Sequence, residues 1–200
     1  MADYGGFDIL EKMLQIRKSV VKADKMQTVF NEYVWPQLIS ALDTIEDAQC
    51  AIDYYVDSAI PDFDEAYLFI YGLFQALYIQ QDAAGALYHI ASTQSSFEKM
   101  QGSIIEEYGA LMKIRHIRDD MIGHPTNRGS KAWGKKYIQI VRATISKNSL
   151  SYIVKGERIP SSFETIDIIQ SIYEQEACIW GILEKTEQLL QSLIGDAYAD

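Results

Sequence analysis

Cysteine is nearly absent from this chain: Cys50 and Cys178 are the only two in 200 residues. Each lies within an apolar helical pattern, so two reduced core thiols are expected rather than a disulfide framework, and no metal-ligand spacing involves them. Long apolar runs are missing as well. The longest nearly apolar stretch, Ala66 to Ile79, is broken by tyrosines, Gly72 and Gln75, which makes it too short and too polar to cross a bilayer. The opening MADYGGFDIL lacks the basic start and apolar run of a secretory signal, from which a cytoplasmic protein with no membrane partner is expected. There is no glycine-rich phosphate loop, no G-x-S-x-G, no Glu-x-x-His pair of the kind di-iron bundles use, and no Cys–His pair close in sequence.

What is present is an apolar fraction of 48% over a length typical of one domain, enough for a single folded unit spanning 1–200. Helical periodicity dominates. Residues 7–22 read as a first helix with Ile9, Leu10, Met13, Leu14, Ile16 and Val20 apolar. A second pattern from about Met26 to Asp57 keeps Leu38, Leu42, Ile45, Gln49, Ile52 and Val56 at spacings of three and four, with Pro36 expected to kink it or to start a new segment at Trp35. Ser58 to Asp62 is a turn, and Asp62 or Asp64 is placed to cap a third helix running to about Ala91. That helix is apolar around most of its circumference and reads as the centre of a bundle or a dimer face. His89, with no carboxylate or second histidine at ligand spacing, reads as a packed side chain. Ser92 to Gly102 connects to a fourth helix beginning near Ser103. After a loop-like TNRGSKAWGK, the segments YIQIVRATIS and LSYIVK are rich in β-formers, with Lys147, Asn148 and Ser149 as a hairpin loop, giving an inserted hairpin at about 137–155. Ser161 and Glu164 after Pro160 form a capping box for the last helix. Ile166, Ile169, Tyr173, Ala177, Trp180 and Leu183 mark its buried stripe, and Gly195 ends it. The predicted fold class is all-α, an antiparallel helical bundle with a small inserted β-hairpin.

The fourth helix carries the chemistry. Within LMKIRHIRDDMIGHPTNR, Ala110, Ile114, Ile117 and Met121 form a buried stripe, and Leu111, Arg115, Arg118 and Ile122 lie on its shoulder. In an unbroken helix His124 lies about 120° round from Arg118, so the two cannot meet by helical spacing. A left-handed Gly123 followed by an extended His124 before Pro125 turns the chain back toward Arg118. A purely structural arrangement fits the same residues, with Arg118 capping the helix and His124 bonded to backbone in the turn. Between Lys113 and Arg142, eight basic residues face only Asp119 and Asp120, a local +6 in a chain whose total is −10. Such a patch suits a short stretch of phosphodiester, or else is a solvated lysine-rich loop. Tyr54, Tyr55, Tyr67, Tyr71, Tyr78 and Tyr88 offer rings for base stacking, though tyrosines at helical spacing also build cores. His116, Asp120 and His124 have the i, i+4, i+8 spacing of metal ligands, an alignment that Gly123 and Pro125 break, so no metal is expected.

The pattern of Arg118, Asp119 and His124, with five residues between the arginine and the histidine, resembles the motif of the HEPN superfamily of helical nucleotide-binding and ribonuclease domains. The resemblance implies a HEPN-like bundle and a homodimer with the motif facing a cleft. It further implies a metal-independent endoribonuclease without cofactors, in a toxin or host-defence setting, with RNA as substrate and an antitoxin or regulatory protein as a possible partner. In that reading Arg118, His124 and Asp119 are catalytic, and Arg115, His116 and Arg128 contact the substrate backbone. The imidazole of histidine, with an unperturbed pKa of roughly 6.5, suits proton transfer near neutrality. The competing expectation is a non-catalytic dimeric helical module that binds a nucleotide or a protein partner in the same cleft.

Overall fold

The computed structural model describes residues 7–22, 26–59, 63–98, 103–123, 128–130 and 134–199. Helix α1 (Ile9–Lys22) leads to a single turn, α2 (Met26–Val29), and then to α3 (Val34–Asp57). The long second helical pattern is thus two elements. The side chain of Asn31 accepts the backbone N–H groups of Tyr33 and Val34 at the entry to α3, and Pro36 falls in the first turn, where its missing N–H leaves no bond unmade. Helix α4 (Phe63–Thr93) packs against α3, α5 (Gly109–Arg118) and α6 (Ile168–Ala199), and so occupies the centre of the helical layer. The expected caps Asp62 and Asp64 lie outside the described residues and side chains. Cys50 is exposed and Cys178 half-buried, both free, so Cys50 is not the core thiol that its pattern predicts.

The all-α expectation is overturned by a four-stranded antiparallel sheet of order β1 (Arg128–Ser130), β2 (Gly134–Ile140), β3 (Ser149–Gly156) and β4 (Ser162–Asp167). A hairpin alone is not what forms. Part of the loop-like stretch before Tyr137 pairs as β1 and the start of β2. The expected capping box is strand, because Glu164 accepts hydrogen bonds from Tyr152 and Ser162, and the hydroxyls of Thr165 and Ser151 bond across the strands. The helix is capped six residues later by Asp167, whose carboxylate accepts the N–H of Gln170 at 2.9 Å. The buried face of α6 presents Ile168, Ile172, Ile179, Ile182, Leu183 and Leu190 to the core. Tyr173 and Trp180 are only half-buried, Ala177 is exposed, and the helix continues past Gly195 to Ala199. The connection between β2 and β3 is a 3-10 turn, Arg142–Thr144, and Ser149 belongs to β3 rather than to a tight loop.

One sheet face carries Ile138, Leu150, Tyr152, Val154 and Ile166 into a core with Ile70, Phe74, Leu77, Ile114, Ile117 and Met121. A second core, further along the helices, gathers α1 residues with Leu38, Leu42, Ile45, Leu87, Ile90, Ile179 and Leu183. Between the two lies a layer of buried polar side chains, Gln49, Gln80, Gln81, Gln175 and Glu176, from three helices. Among the described residues no helix is long and apolar enough to cross a membrane.

Candidate active site around Arg118

Helix α5 ends in basic residues, Arg115, His116 and Arg118, as its carbonyl terminus favours. It then widens into a π-helical turn over Asp119–Gly123, a distortion frequent at functional sites. Gly123 is not left-handed, as Gly134 alone among the described glycines has positive φ. The left-handed Gly123 expected at the helix end is replaced by this π turn. Its i to i+5 register stacks Gly123 over Arg118, so closely that a Cβ on Gly123 would stand 3.3 Å from Nη1 of Arg118. His124, Pro125 and their neighbours through Asn127 lie outside the described residues.

The Arg118 guanidinium is held on three sides. Its Nη1 donates to Asp119 Oδ1 at 3.0 Å, and Nη2 and Nε donate to Gln75 Oε1 at 2.9 and 3.3 Å. Its central carbon lies 4.3 Å from the centroid of the Tyr78 ring, a cation–π contact. Arg115 packs on the same ring at 4.1 Å. The side chain of Arg118 remains 21% exposed, open enough to meet a ligand. Asp119 therefore sits against Arg118, whereas Gln75 and Tyr78 were not foreseen as partners of that guanidinium. Their signal was present in the sequence as polar positions at i, i+3 within the nearly apolar stretch Ala66 to Ile79.

Arg115 differs from a surface phosphate contact. It is 8% exposed, donates to Asp82 at 2.8 Å and to Gln81 Oε1 at 3.4 Å, and begins a chain of side-chain amides. Gln81 donates to Gln175, Gln175 to Gln80, Gln80 to Gln49, and Gln49 to both Glu176 and Asp53, at 2.7 to 3.0 Å. Every bond points the same way, from a guanidinium to carboxylates, so each amide is polarised by the one before it. The far end borders a cavity of about 390 Å³ lined by Asp8, Asp53, Asp57 and Glu176. Burial pushes the Glu176 carboxyl above its ordinary range, with the nearby Asp53 charge adding to the rise and the Gln49 bond opposing it.

His116 faces away from Arg118. With Lys113 and Asp120 it lines a cavity of about 480 Å³ between α5, the sheet and the start of α6, whose other walls include Tyr152, Glu164 and Asp167. Asp120 is buried and ion-paired to Lys136 at 2.6 Å. The structure thus brings Arg118, Asp119 and Arg115 together against α4 and sends His116 to the opposite side of the helix. Arg128 opens β1 opposite Lys136, and its side chain lies outside those described. The basic patch is partly compensated, since Arg115, Arg118 and Lys136 each hold a carboxylate. Among the described residues no group of three or more His, Cys, Asp or Glu side chains is arranged to hold a metal ion. No family model, curated protein or solved structure matches this chain, so the site is read from its own residues.

Proposed function

We propose that this chain is a metal-independent endoribonuclease of the HEPN kind that works as a homodimer, with Arg118 and His124 as its reacting pair. The observation that carries the reading is the packing of Gly123 on the Arg118 guanidinium, because the residue that follows Gly123 is His124. In the reaction the RNA 2′-oxygen attacks the adjacent phosphorus, the bond to the 5′-oxygen breaks, and a 2′,3′-cyclic phosphate forms. The proton leaves the 2′-hydroxyl and one is delivered to the 5′-oxygen, with His124 serving one of these transfers. Arg118 binds the phosphoryl oxygens and offsets their growing charge through its planar fork. Asp119 fixes that fork until the phosphate displaces part of its bonding.

Dimerisation is supported by the outer face of α4, where Leu68 is 73% exposed. Leu68 shares a stripe with Gln75, the partner of Arg118, so pairing of this face would place two motifs at one interface. The second reading, a binding module for a nucleotide or a regulatory protein, draws on the compensation of the basic patch by Asp82, Asp119 and Asp120. Incubation with total RNA in EDTA, with end-group analysis, separates the two. The wild-type protein is expected to leave cyclic ends. His124→Ala is expected to lose about 10²- to 10⁴-fold in rate with little loss of RNA binding, and Arg118→Lys to fail despite keeping its charge. Full cleavage by a folded His124→Ala protein refutes the catalytic pair, and a monomer in sedimentation at micromolar concentration refutes the dimer.

A further inference from the structure

One cavity beside the motif is not used by that chemistry. It measures about 300 Å³ and is lined by Tyr67 and Tyr71 of α4, Met121 of the π turn, Ile138, Gln139 and Ile140 of β2, and Arg142. Met121 and Ile138 are buried and form an apolar floor, while Tyr71, Gln139 and Arg142 stand at the solvent edge. The two tyrosine rings meet edge to face with centroids 5.9 Å apart, and the guanidinium carbon of Arg142 lies 5.9 Å from the Tyr67 centroid. A slot with an apolar floor, an aromatic wall and a cation at its mouth suits a planar heterocycle attached to an anion. Its position relative to Arg118 fits one particular case. Tyr71 and Gln75 are one turn apart on α4, roughly 6 Å along the axis, and Gln75 is hydrogen-bonded to Arg118. Met121 follows Arg118 by three residues on the other wall.

We infer that this slot is a base-binding subsite for single-stranded RNA, in which one unpaired base stacks on Tyr71 with the Tyr67 ring at its edge, while its neighbouring phosphate lies at Arg118. The inference rests on the ribonuclease reading and adds to it a site for one base, which a duplex can fill only by giving up a pair and its stacking, at a cost of about a few kcal/mol. Stacking tolerates any base, so the subsite selects strandedness more than sequence. Arg142 at the mouth meets a further phosphate and contributes to the salt dependence of binding.

The test uses a short 2′-O-methylated single-stranded RNA, which cannot be cleaved, the same strand in a duplex, and a copy with an abasic interior. Binding by fluorescence anisotropy is measured beside cleavage of the natural RNA strand. The wild-type protein is expected to prefer the single strand over both the duplex and the abasic copy. Tyr71→Ala is expected to weaken binding of the single strand by about 5- to 150-fold, to raise KM with kcat little changed, and to erase the preference over the abasic copy. Tyr71→Phe, which keeps the ring, is expected to bind as the wild type does. Arg142→Ala is expected to lower the slope of log affinity against log salt by about one. Wild-type binding and cleavage in Tyr71→Ala overturns the subsite and leaves the ribonuclease reading standing, as does equal wild-type affinity for the single-stranded and abasic probes. If Tyr71→Ala loses binding only because it sediments as a monomer, Tyr71 is a dimer contact and the inference fails. A wild-type protein that neither binds nor cleaves any RNA refutes the ribonuclease reading itself and the subsite with it.

Discussion

Replacing Gln175 with leucine tests the buried amide chain at its midpoint. The Gln175 side chain is fully buried. It accepts a hydrogen bond from Gln81 at 2.7 Å and donates to Gln80 at 2.8 Å and to the Leu77 carbonyl at 3.0 Å. Leucine is close in size but makes none of these bonds, so it strands the Gln81 amide N–H and the Gln80 side-chain oxygen in a buried layer. Each orphaned group costs about 1–3 kcal/mol, and the two together about 2–6 kcal/mol. The apolar side chain offsets about 1.5–3 kcal/mol through burial. The balance is a loss of about 2 kcal/mol, and for a domain of this size that lowers Tm by about 4–8 °C. Gln81→Leu made in the same protein leaves its own orphans, but the double variant no longer strands the Gln81 amide. The two losses are therefore expected to fall short of additivity by at least about 0.5 kcal/mol. Chemical denaturation of the two single variants and the double variant gives that coupling directly. A Gln175→Leu protein as stable as the wild type, or strictly additive losses, refutes a continuous chain through residues 81, 175 and 80.

Glu176→Gln keeps an oxygen to accept from Gln49 and removes the ionisation that burial disfavours. Because the folded carboxyl titrates above its ordinary value of 4.5, the native state binds more protons than the unfolded state in the window above that value. Wild-type stability therefore falls as pH rises through the window and is level beyond it. The variant is expected to melt higher than wild type at neutral pH and to lose that advantage as pH falls to about 4.5, and a variant less stable at neutral pH contradicts the assignment. Gly123→Ala is expected to push Nη1 of Arg118 off its place, since its Cβ meets that atom at 3.3 Å, lowering RNA cleavage several-fold with little change in Tm because no left-handed backbone is involved. Unchanged cleavage would show that the approach of Gly123 to Arg118 has no part in the chemistry.

Elements whose apolar residues repeat at helical spacing were legible in the sequence: α1, α3 and α4 are where the period puts them, and Ile114, Ile117 and Met121 are buried together. The end of the sheet was not, because SSFETID carries two signals at once. Ser161 and Glu164 match a capping box, while Phe163, Thr165 and Asp167 alternate with Glu164 and Ile166 as a strand does. Pairing with β3 decides between them through contacts that no local rule contains, Leu150 with Ile166 and Ser151 with Thr165. The π turn was illegible for a different reason. Spacing rules assume 3.6 residues per turn, and under them Arg118 and the residues after Gly123 diverge. One widened turn changes the register to i and i+5 and brings Gly123 onto the guanidinium. The polar layer, by contrast, was visible and misread. Gln49 stands in the same apolar register as Ile45 and Ile52, and Gln80 and Gln81 follow directly on the apolar run of α4. A glutamine in a core register demands a partner, because its amide loses water on burial and leucine would fill the place at lower cost. When two other helices, α4 and α6, carry glutamines at the same level of the bundle, those partners are most simply each other. That rule would have assigned Arg115, one turn from Arg118 on the same helix, to the interior, and left Arg118 as the more open arginine of α5.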